Sequence, residues 1–412
     1  MSSGPIAAPA SRIRWVMISL AFWATVVNYL DRQTLSVAAP VLIDQFQMSS
    51  TSYSRVVFAF LLAYTIMNGV SGPLIDRLGT RAGYGLCMLW WSASSVLHAF
   101  STGPVSLGIF RFLLGMGEAG NWPGAVKVVA EWFPEKERAL ASGIFNSGSS
   151  VGAILAPPVV AFILLGLGWR WAFVIVGLAG FVWLAIWWPV YKTPVTAADE
   201  AFLPPVPASD LLRSRFVWSF TVSKVFMDPA WYFYVFWFPQ YLKAERHFDM
   251  AAIGAYAWLP FFFAGLGNIL GGLFARFLLK HLPLVSARKV AVTAFAILMM
   301  ASIPAVFVPS VWLSMIFVSI AMAGYTGSLA NMLALPADLF PKNAAASVYG
   351  IGSMGAGFGG MVFSLLTGWM LERFSYRPVF ICFGLIPLLC PLILWIFAGS
   401  QKYVRVPKMV AA

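Results

Sequence analysis

The chain has 412 residues, of which 60% are hydrophobic and only 10% charged, and its formal net charge is +12. A soluble domain carries about 25% charged residues, so the composition excludes a water-soluble globule and makes lipid the main solvent. The positive charge does not mark a nucleic-acid surface, because the basic residues are spread through the loops between apolar runs instead of being gathered on one soluble face.

Twelve apolar runs, each near the roughly twenty residues that cross a hydrocarbon core, follow one another along the chain. They cover residues 15–37, 52–75, 83–100, 105–129, 138–163, 169–191, 216–242, 251–275, 288–308, 311–335, 344–370 and 377–398. Barrel strands would alternate over about ten residues, whereas these runs are continuous. They predict helices, which satisfy their own backbone hydrogen bonds inside lipid, and the fold class is an all-α membrane protein. The first run is full length and is followed by no small-residue cleavage pattern, so it is read as the first helix and not as a leader. The three cysteines, Cys87, Cys382 and Cys390, all lie in apolar runs without metal or redox spacing. No metal site is expected.

Charge sets the orientation. With a cytoplasmic N-terminus, that side holds 17 of the 27 Lys and Arg residues and the opposite side 6. The positive-inside rule then puts both termini in the cytoplasm of an inner-membrane protein. The remaining basic residues, Arg32, Arg111, Lys127 and Lys224, fall inside predicted helices. An ionised group at the bilayer centre costs at least about 2.5–3.5 kcal/mol on insertion scales, so each requires a partner, a wet cavity or a function.

In chain order, helix 1 carries Asn28, Asp31 and Arg32 on one stripe, and helix 2 carries Tyr64 and Asn68. The following loop reads Gly72-Pro73-Leu74-Ile75-Asp76-Arg77-Leu78-Gly79-Thr80-Arg81. Glycine lets so short a loop turn tightly, and its charges can pair with helix ends and part again when helices move. Helix 3 ends near His98, which is placed at a membrane interface, as is His247. Helix 4 carries Arg111 and Glu118, seven residues apart and hence about 20° from eclipsed on a 3.6-residue turn. Helix 5 adds Asn146 and Ser149.

A proline-rich polar stretch, residues 193–215, then reads as a cytoplasmic linker between an N-terminal six-helix bundle, 1–192, and a C-terminal one, 216–412. Across it the chain repeats itself: Glu131-Trp132-Phe133-Pro134-Glu135-Lys136 ending at Gly143 is echoed by Asp338-Leu339-Phe340-Pro341-Lys342-Asn343 ending at Gly350. Two halves of this kind, rocking about a site at the midplane, are how alternating access is built. In the second half helix 7 carries Lys224, Asp228, Trp231 and Tyr232, helix 8 Asn268, and helix 10 Tyr325, Ser328 and Asn331. Lys224 and Asp228 stand at i,i+4, which also suits a pair that merely stabilises the helix.

A partly desolvated carboxylate such as Asp31 or Glu118 can take up a proton and release it, while an arginine keeps its charge throughout. The arginine fork suits a substrate carboxylate. Protonation of the internal carboxylate would then free the arginine for a small organic anion, so that anion and proton travel together, with protons as coupling ion and no cofactor. A membrane enzyme or receptor would need a nucleophile–base pair, metal ligands or a sizeable soluble domain, and the sequence offers none.

The loop Gly-x-x-x-Asp-Arg-x-Gly-Thr-Arg at 72–81 resembles the signature of the major facilitator superfamily. Within it, the run from Asn28 to Pro40, the stretch from Arg111 to Gly124 and the stretch from Glu131 to Pro158 resemble the anion:cation symporter family. The stretch from Gly143 to Pro158, with Ser286-Ala287-Arg288-Lys289, is most similar to its bacterial hexuronate branch, which takes up glucuronate and galacturonate with protons. The resemblance implies that Arg32 binds the substrate carboxylate, that Asp31 and Glu118 carry protons, that Arg111 pairs with Glu118 and that Tyr64 lines the site. Asn146, Lys224, Trp231, Tyr232, Asn331 and Ser353 complete the expected substrate site, and Gly72, Asp76, Arg77, Gly79 and Arg81 the conformational switch. At Gly352-Ser353-Met354-Gly355 the chain departs from the aldonate carriers, which place a residue for sugar hydroxyls there. Other small anions (aldonates, simple or aromatic monocarboxylates, phosphate) remain alternatives, with or without protons. A monomer surrounded by lipid, with no nucleic-acid partner, is expected.

Overall fold

A computed structural model describes residues 13–192, 207–340 and 342–398. Most of the expected linker, residues 193–206, and the basic residues Arg12, Lys402, Arg405 and Lys408 lie outside the described residues. The described chain is helical, with no strand among those residues.

The helices are α1 (Ile13–Phe46), α2 (Ser50–Leu78), α3 (80–97), α4 (Pro104–Glu118 and Asn121–Trp132), α5 (Glu135–Leu167) and α6 (Trp169–Val190). After a single turn at Ala208–Leu211 come α7 (Arg215–Arg246), α8 (Met250–Tyr256 and Leu259–Leu278), α9 (Leu284–Phe307), α10 (Val311–Leu339), α11 (Lys342–Arg373) and α12 (Tyr376–Phe397). Each corresponds to one predicted run. Several outlast it, α1 by most of three turns, because helix ends that pack on neighbouring helices need not be apolar throughout. Nine helices among the described residues are long and apolar enough to cross a membrane. The other three are α3, which is short, α4, which is broken, and α7, which carries Lys224 and Asp228.

Two breaks matter for function. Gly79, at φ 76° and ψ 155°, separates α2 from α3 in a conformation that a β-carbon resists. The break in α4 after Glu118 frees the Ala119 carbonyl, which accepts from Ser71 Oγ at 3.2 Å, while the Glu118 carbonyl accepts from Asn28 Nδ2 at 3.4 Å. The discontinuity thus ties α4 to α1 and α2 at the depth where its carboxylate sits.

The helices form two six-helix bundles. In the first, α1 packs on α5 and α6; in the second, α7 packs on α11 and α12, and α10 on α8 and α9. The bundles meet through α1 with α7, α2 with α11, and α5 with α8.

That seam is closed at one end only. Away from the start of α1 and the end of α12, Lys243 pairs with Asp44, Thr51 with Glu372, and Tyr53 Oη donates to the Phe236 carbonyl at 2.8 Å. Along α11, Gly368, Gly360 and Gly357 touch α2, whereas Gly350 and, on α2, Gly69 and Gly72 face open space. No hydrogen bond joins the bundles at this second end among the described residues, and the exposed apolar side chains Ile66, Val70 and Met354 flank the gap. The molecule is open toward the end where α1 begins.

Candidate functional site

Between the bundles lies a cavity of about 240 Å³. Pockets for drug-sized ligands run to about 300–1,000 Å³, so this one suits a small solute. Helices of both bundles wall it. Arg32 and Tyr64 enter from the first bundle with Asn146, and Lys224, Trp231, Tyr232 and Ser353 from the second.

Arg32 is the most elaborately held of these. Its Nε and Nη2 donate to Glu118 Oε2 at 3.1 and 3.0 Å, and Nη2 reaches Asn28 Oδ1 at 3.4 Å. Its guanidinium also lies over the rings of Tyr64, Tyr29 and Phe60, at 4.6, 5.1 and 5.3 Å from their centroids. Cation–π contacts of this kind favour the cation where water is scarce. Nη1 has no hydrogen-bond partner among the described residues, which leaves one edge of the fork toward the cavity.

The second bundle presents its own ion pair. Lys224 Nζ stands 2.6 Å from Asp228 Oδ2, and Tyr325 Oη donates to Asp228 Oδ1 at 3.0 Å. The i,i+4 pair is therefore part of the cavity wall and not only a helix stabiliser. Next to it, Trp231 stacks on Tyr325 at 5.3 Å and 17°, making a flat aromatic face.

Other predicted residues lie elsewhere. Glu118 and Asp31 are buried behind the wall rather than on it. Arg111 neither lines the cavity nor bonds to Glu118; its Nη2 reaches the Asp31 carbonyl oxygen at 3.5 Å. The expected eclipsing of Arg111 and Glu118 ignores translation: seven residues also separate them by about 10 Å along the helix, and Arg32 is the nearer cation. Asn331 is a packing link, donating to the Gly271 and Gly327 carbonyls at 3.0 Å each and accepting from Arg288 Nη1 at 3.2 Å. His98, at the end of α3, is fully buried within the first bundle.

The loop motif sits at the open end. Asp76 pairs with Lys127 of α4 at 2.7 Å, and Arg81 donates twice to the Trp188 carbonyl, at 3.1 and 2.6 Å. Gly72 and Arg77 are on the surface there, and Gly79 supplies the turn. Thr80 and Tyr191 both donate to Glu131. In the second half the repeat-related Asp338 takes Arg288 Nε at 3.0 Å. Each bundle therefore ties the acidic residue of its repeated motif to a neighbouring helix on the same side.

Sequence reasoning missed Tyr29, Trp122 and Tyr349 as wall residues. Tyr29 stands at i,i+3 from Arg32 and Tyr349 at i,i+4 from Ser353, so helical spacing from the chosen polar residues was the available signal. Asp228 and Tyr325 were noted as polar but not as a unit, since nothing in one sequence pairs α7 with α10.

Comparison with known proteins agrees with this architecture. The family model of the Major Facilitator Superfamily matches residues 21–287 and 284–410. A hexuronate transporter of Escherichia coli (strain K12) is 30% identical over 96% of this chain and 96% of its own length. A galacturonate transporter of Dickeya chrysanthemi is 34% identical over 70% of this chain and 89% of its own. Among solved structures, a bacterial homologue of the human lysosomal transporter Spinster, inward-facing and occupied, superposes with a TM-score of 0.73 at 19% identity, over 94% of this chain and 95% of that one. The chain belongs to the major facilitator superfamily and is an integral membrane transporter, not an enzyme.

Proposed function

We propose that the protein takes up a hexuronate-like sugar acid, such as glucuronate or galacturonate, together with protons, by alternating access across an inner membrane. The observation that carries this reading is Arg32 at the cavity wall with its fork held by the buried Glu118 carboxylate. A proton on Glu118 removes the charge that holds Nε and Nη2. A substrate carboxylate then takes the released Nη2 together with Nη1, already free toward the cavity, in bidentate fashion, while the Tyr64 ring keeps the guanidinium presented. The aromatic face of Trp231 and Tyr325 suits the C–H face of a sugar ring, and Asn146, Ser353 and Lys224 suit its hydroxyls.

Charge balance favours coupling. Arg32 with Glu118 and Lys224 with Asp228 sum to zero at the cavity. Entry of one anion into a cavity whose charges already balance, removed from bulk water, is least costly when one proton accompanies it. The two relatives described above, named for hexuronate and galacturonate, support the substrate class. In this reading both termini are cytoplasmic, the bundles span 1–192 and 216–412 with a linker at 193–215, the open end faces the cytoplasm, and the monomer is the working unit. The Asp76–Lys127 and Arg81–Trp188 contacts break and remake as the bundles rock, and Gly72, Arg77 and Gly79 complete the switch loop around them.

A second reading, carriage of an aromatic or simple monocarboxylate, is favoured by the apolar stretch Phe261, Leu329 and Leu333 on the same wall. Uptake into proteoliposomes of glucuronate, galacturonate, galactonate, lactate, benzoate and phosphate, with and without an imposed pH gradient, decides between them. Gradient-driven accumulation of the hexuronates above the others is expected. Preference for lactate or benzoate, or indifference to the gradient, overturns the corresponding half of the proposal.

A further inference from the structure

Behind the cavity, the first bundle holds a second group of buried ionisable side chains. Asp31 of α1, His98 at the end of α3 and Arg111 of α4 are each no more than 1% exposed. They gather around Phe173 of α6. His98 stacks on that ring at 4.9 Å and 13°, and the Arg111 guanidinium lies 5.7 Å from its centroid. Ser95 Oγ, one turn before His98, donates to Asp31 Oδ1 at 2.5 Å. Arg170, which opens α6, donates to the Ala99 carbonyl at 3.0 Å, and Tyr53 of α2 spends its hydroxyl on Phe236.

Burial this deep normally comes with complete hydrogen bonding. Here it does not: Asp31 Oδ2, His98 Nε2, Arg111 Nε and Nη1, Ser101 Oγ and Glu118 Oε1 have no partner among the described residues. These atoms belong to residues of the loop after α3, where Phe100 is 69% exposed, and of the helices packed beside it, down to the carboxylate that holds Arg32. Unsatisfied polar groups buried side by side are where a bridging water is accommodated when there is room for one. His98 Nδ1 lies 2.7 Å from the Ser94 carbonyl, which can only accept, so Nδ1 carries the hydrogen and Nε2 is left basic.

We infer that His98 is a proton-relay residue, passing protons through water between the closed end of the molecule and Asp31 by a route inside the first bundle, separate from the substrate cavity. The inference rests on the proton-coupled reading above. A hydronium ion at the closed-end surface gives its proton to His98 Nε2, forming the imidazolium. That N–H bond then breaks as the proton passes through intervening water to Asp31 Oδ2, giving the neutral acid, and His98 returns to its Nδ1–H form. The Arg111 charge, which also lies against Phe173, opposes the imidazolium, so the proton passes on instead of resting on His98. Since Lys243 with Asp44 and Thr51 with Glu372 shut the cavity at that end, a path within the bundle reaches Asp31 without opening it.

The test compares the full chain with His98→Phe, which keeps a ring against Phe173, and His98→Gln, in proteoliposomes with glucuronate and galacturonate as probes. The quantity read is the ratio of gradient-driven accumulation to exchange at equal pH. A drop of at least tenfold in both variants is expected, with flattened dependence on pH at the closed-end face. In an Asp31→Asn background, which lacks the acceptor, His98→Phe should lower the ratio no further. A ratio within twofold of the unsubstituted protein in either folded variant, or an equal further drop in the Asp31→Asn background, overturns the relay. Thermal unfolding of the purified variants identifies which are folded. If the unsubstituted protein ignores the gradient, the proton-coupled reading fails instead, and that outcome is separately visible.

Discussion

Arg32 gives two of its hydrogen bonds, from Nε and Nη2, to a single oxygen of Glu118, while the other oxygen of that carboxylate has no partner among the described residues. The bond pattern is lopsided: the arginine is held, but the carboxylate retains a free site at which a proton can add without first breaking a bond. Across the cavity, Lys224 is held by Asp228, which also accepts from Tyr325. Each bundle thus shows the cavity one cation neutralised by one carboxylate, with helices 1 and 4 linked in the first bundle and 7 and 10 in the second.

Glu118→Gln should uncouple the protein. The amide oxygen can still accept from Arg32, but the charge is gone and so is the proton site. Gradient-driven accumulation is expected to fall at least tenfold relative to exchange, and normal accumulation in this variant would remove Glu118 from coupling. Arg32→Lys replaces a planar fork with a point charge that cannot span both carboxylate oxygens. A KM raised at least tenfold, equivalent to about 1.4 kcal/mol of binding, is expected in uptake assays.

The second ion pair separates fold from function. Neutralising one member alone, as Lys224→Met or Asp228→Asn, leaves the other charge buried without its counterion. Such losses run to about 3–5 kcal/mol. The double variant removes both charges and should recover most of the lost thermal stability while its KM stays raised. Recovery of KM along with stability would make the pair a structural strut alone.

Asn331 makes the opposite case. It was expected at the site from its place among polar residues of helix 10, yet its amide satisfies two backbone carbonyls and the Arg288 side chain. Asn331→Leu should lower thermal stability, with each buried group left unsatisfied costing about 1–3 kcal/mol, and leave KM within twofold. A large KM change at normal stability would return it to the site.

These residues also mark where the sequence stopped being legible. The twelve runs, the repeated motif and the Gly-x-x-x-Asp-Arg loop carry the architecture, because span length and glycine turns are local properties. Arg32 was legible as well, since a charge in mid-helix needs a reason wherever it sits. Partner choice was not. Whether Glu118 meets Arg111 or Arg32 depends on how α1 crosses α4 and on the break after Glu118, which no helical periodicity encodes. The same holds for Tyr325 with Asp228, and for His98, whose burial comes from the stacking of Phe173 on it from a different helix.

The closed end of the seam makes a conformational prediction. At Gly357 of α11 a β-carbon would stand 2.0 Å from Thr65 Oγ1 and 2.9 Å from Thr65 Cβ, so any side chain there must push α2 away. Gly350, two turns earlier on the same helix, faces open space. Gly357→Val should therefore prevent the bundles from meeting at the end sealed by Lys243 with Asp44, and bias the protein toward opening on that side. Spin labels at the exposed positions Gln47 and Glu245 would report a longer distance in Gly357→Val, and an unaltered one in Gly350→Val. Uptake should slow in the first variant, because a carrier that cannot close one end cannot release substrate at the other. If the Gln47–Glu245 distance is the same in Gly357→Val as in the unsubstituted protein, the α2–α11 contact is not what holds that end shut, and the three polar contacts beside it must do so alone.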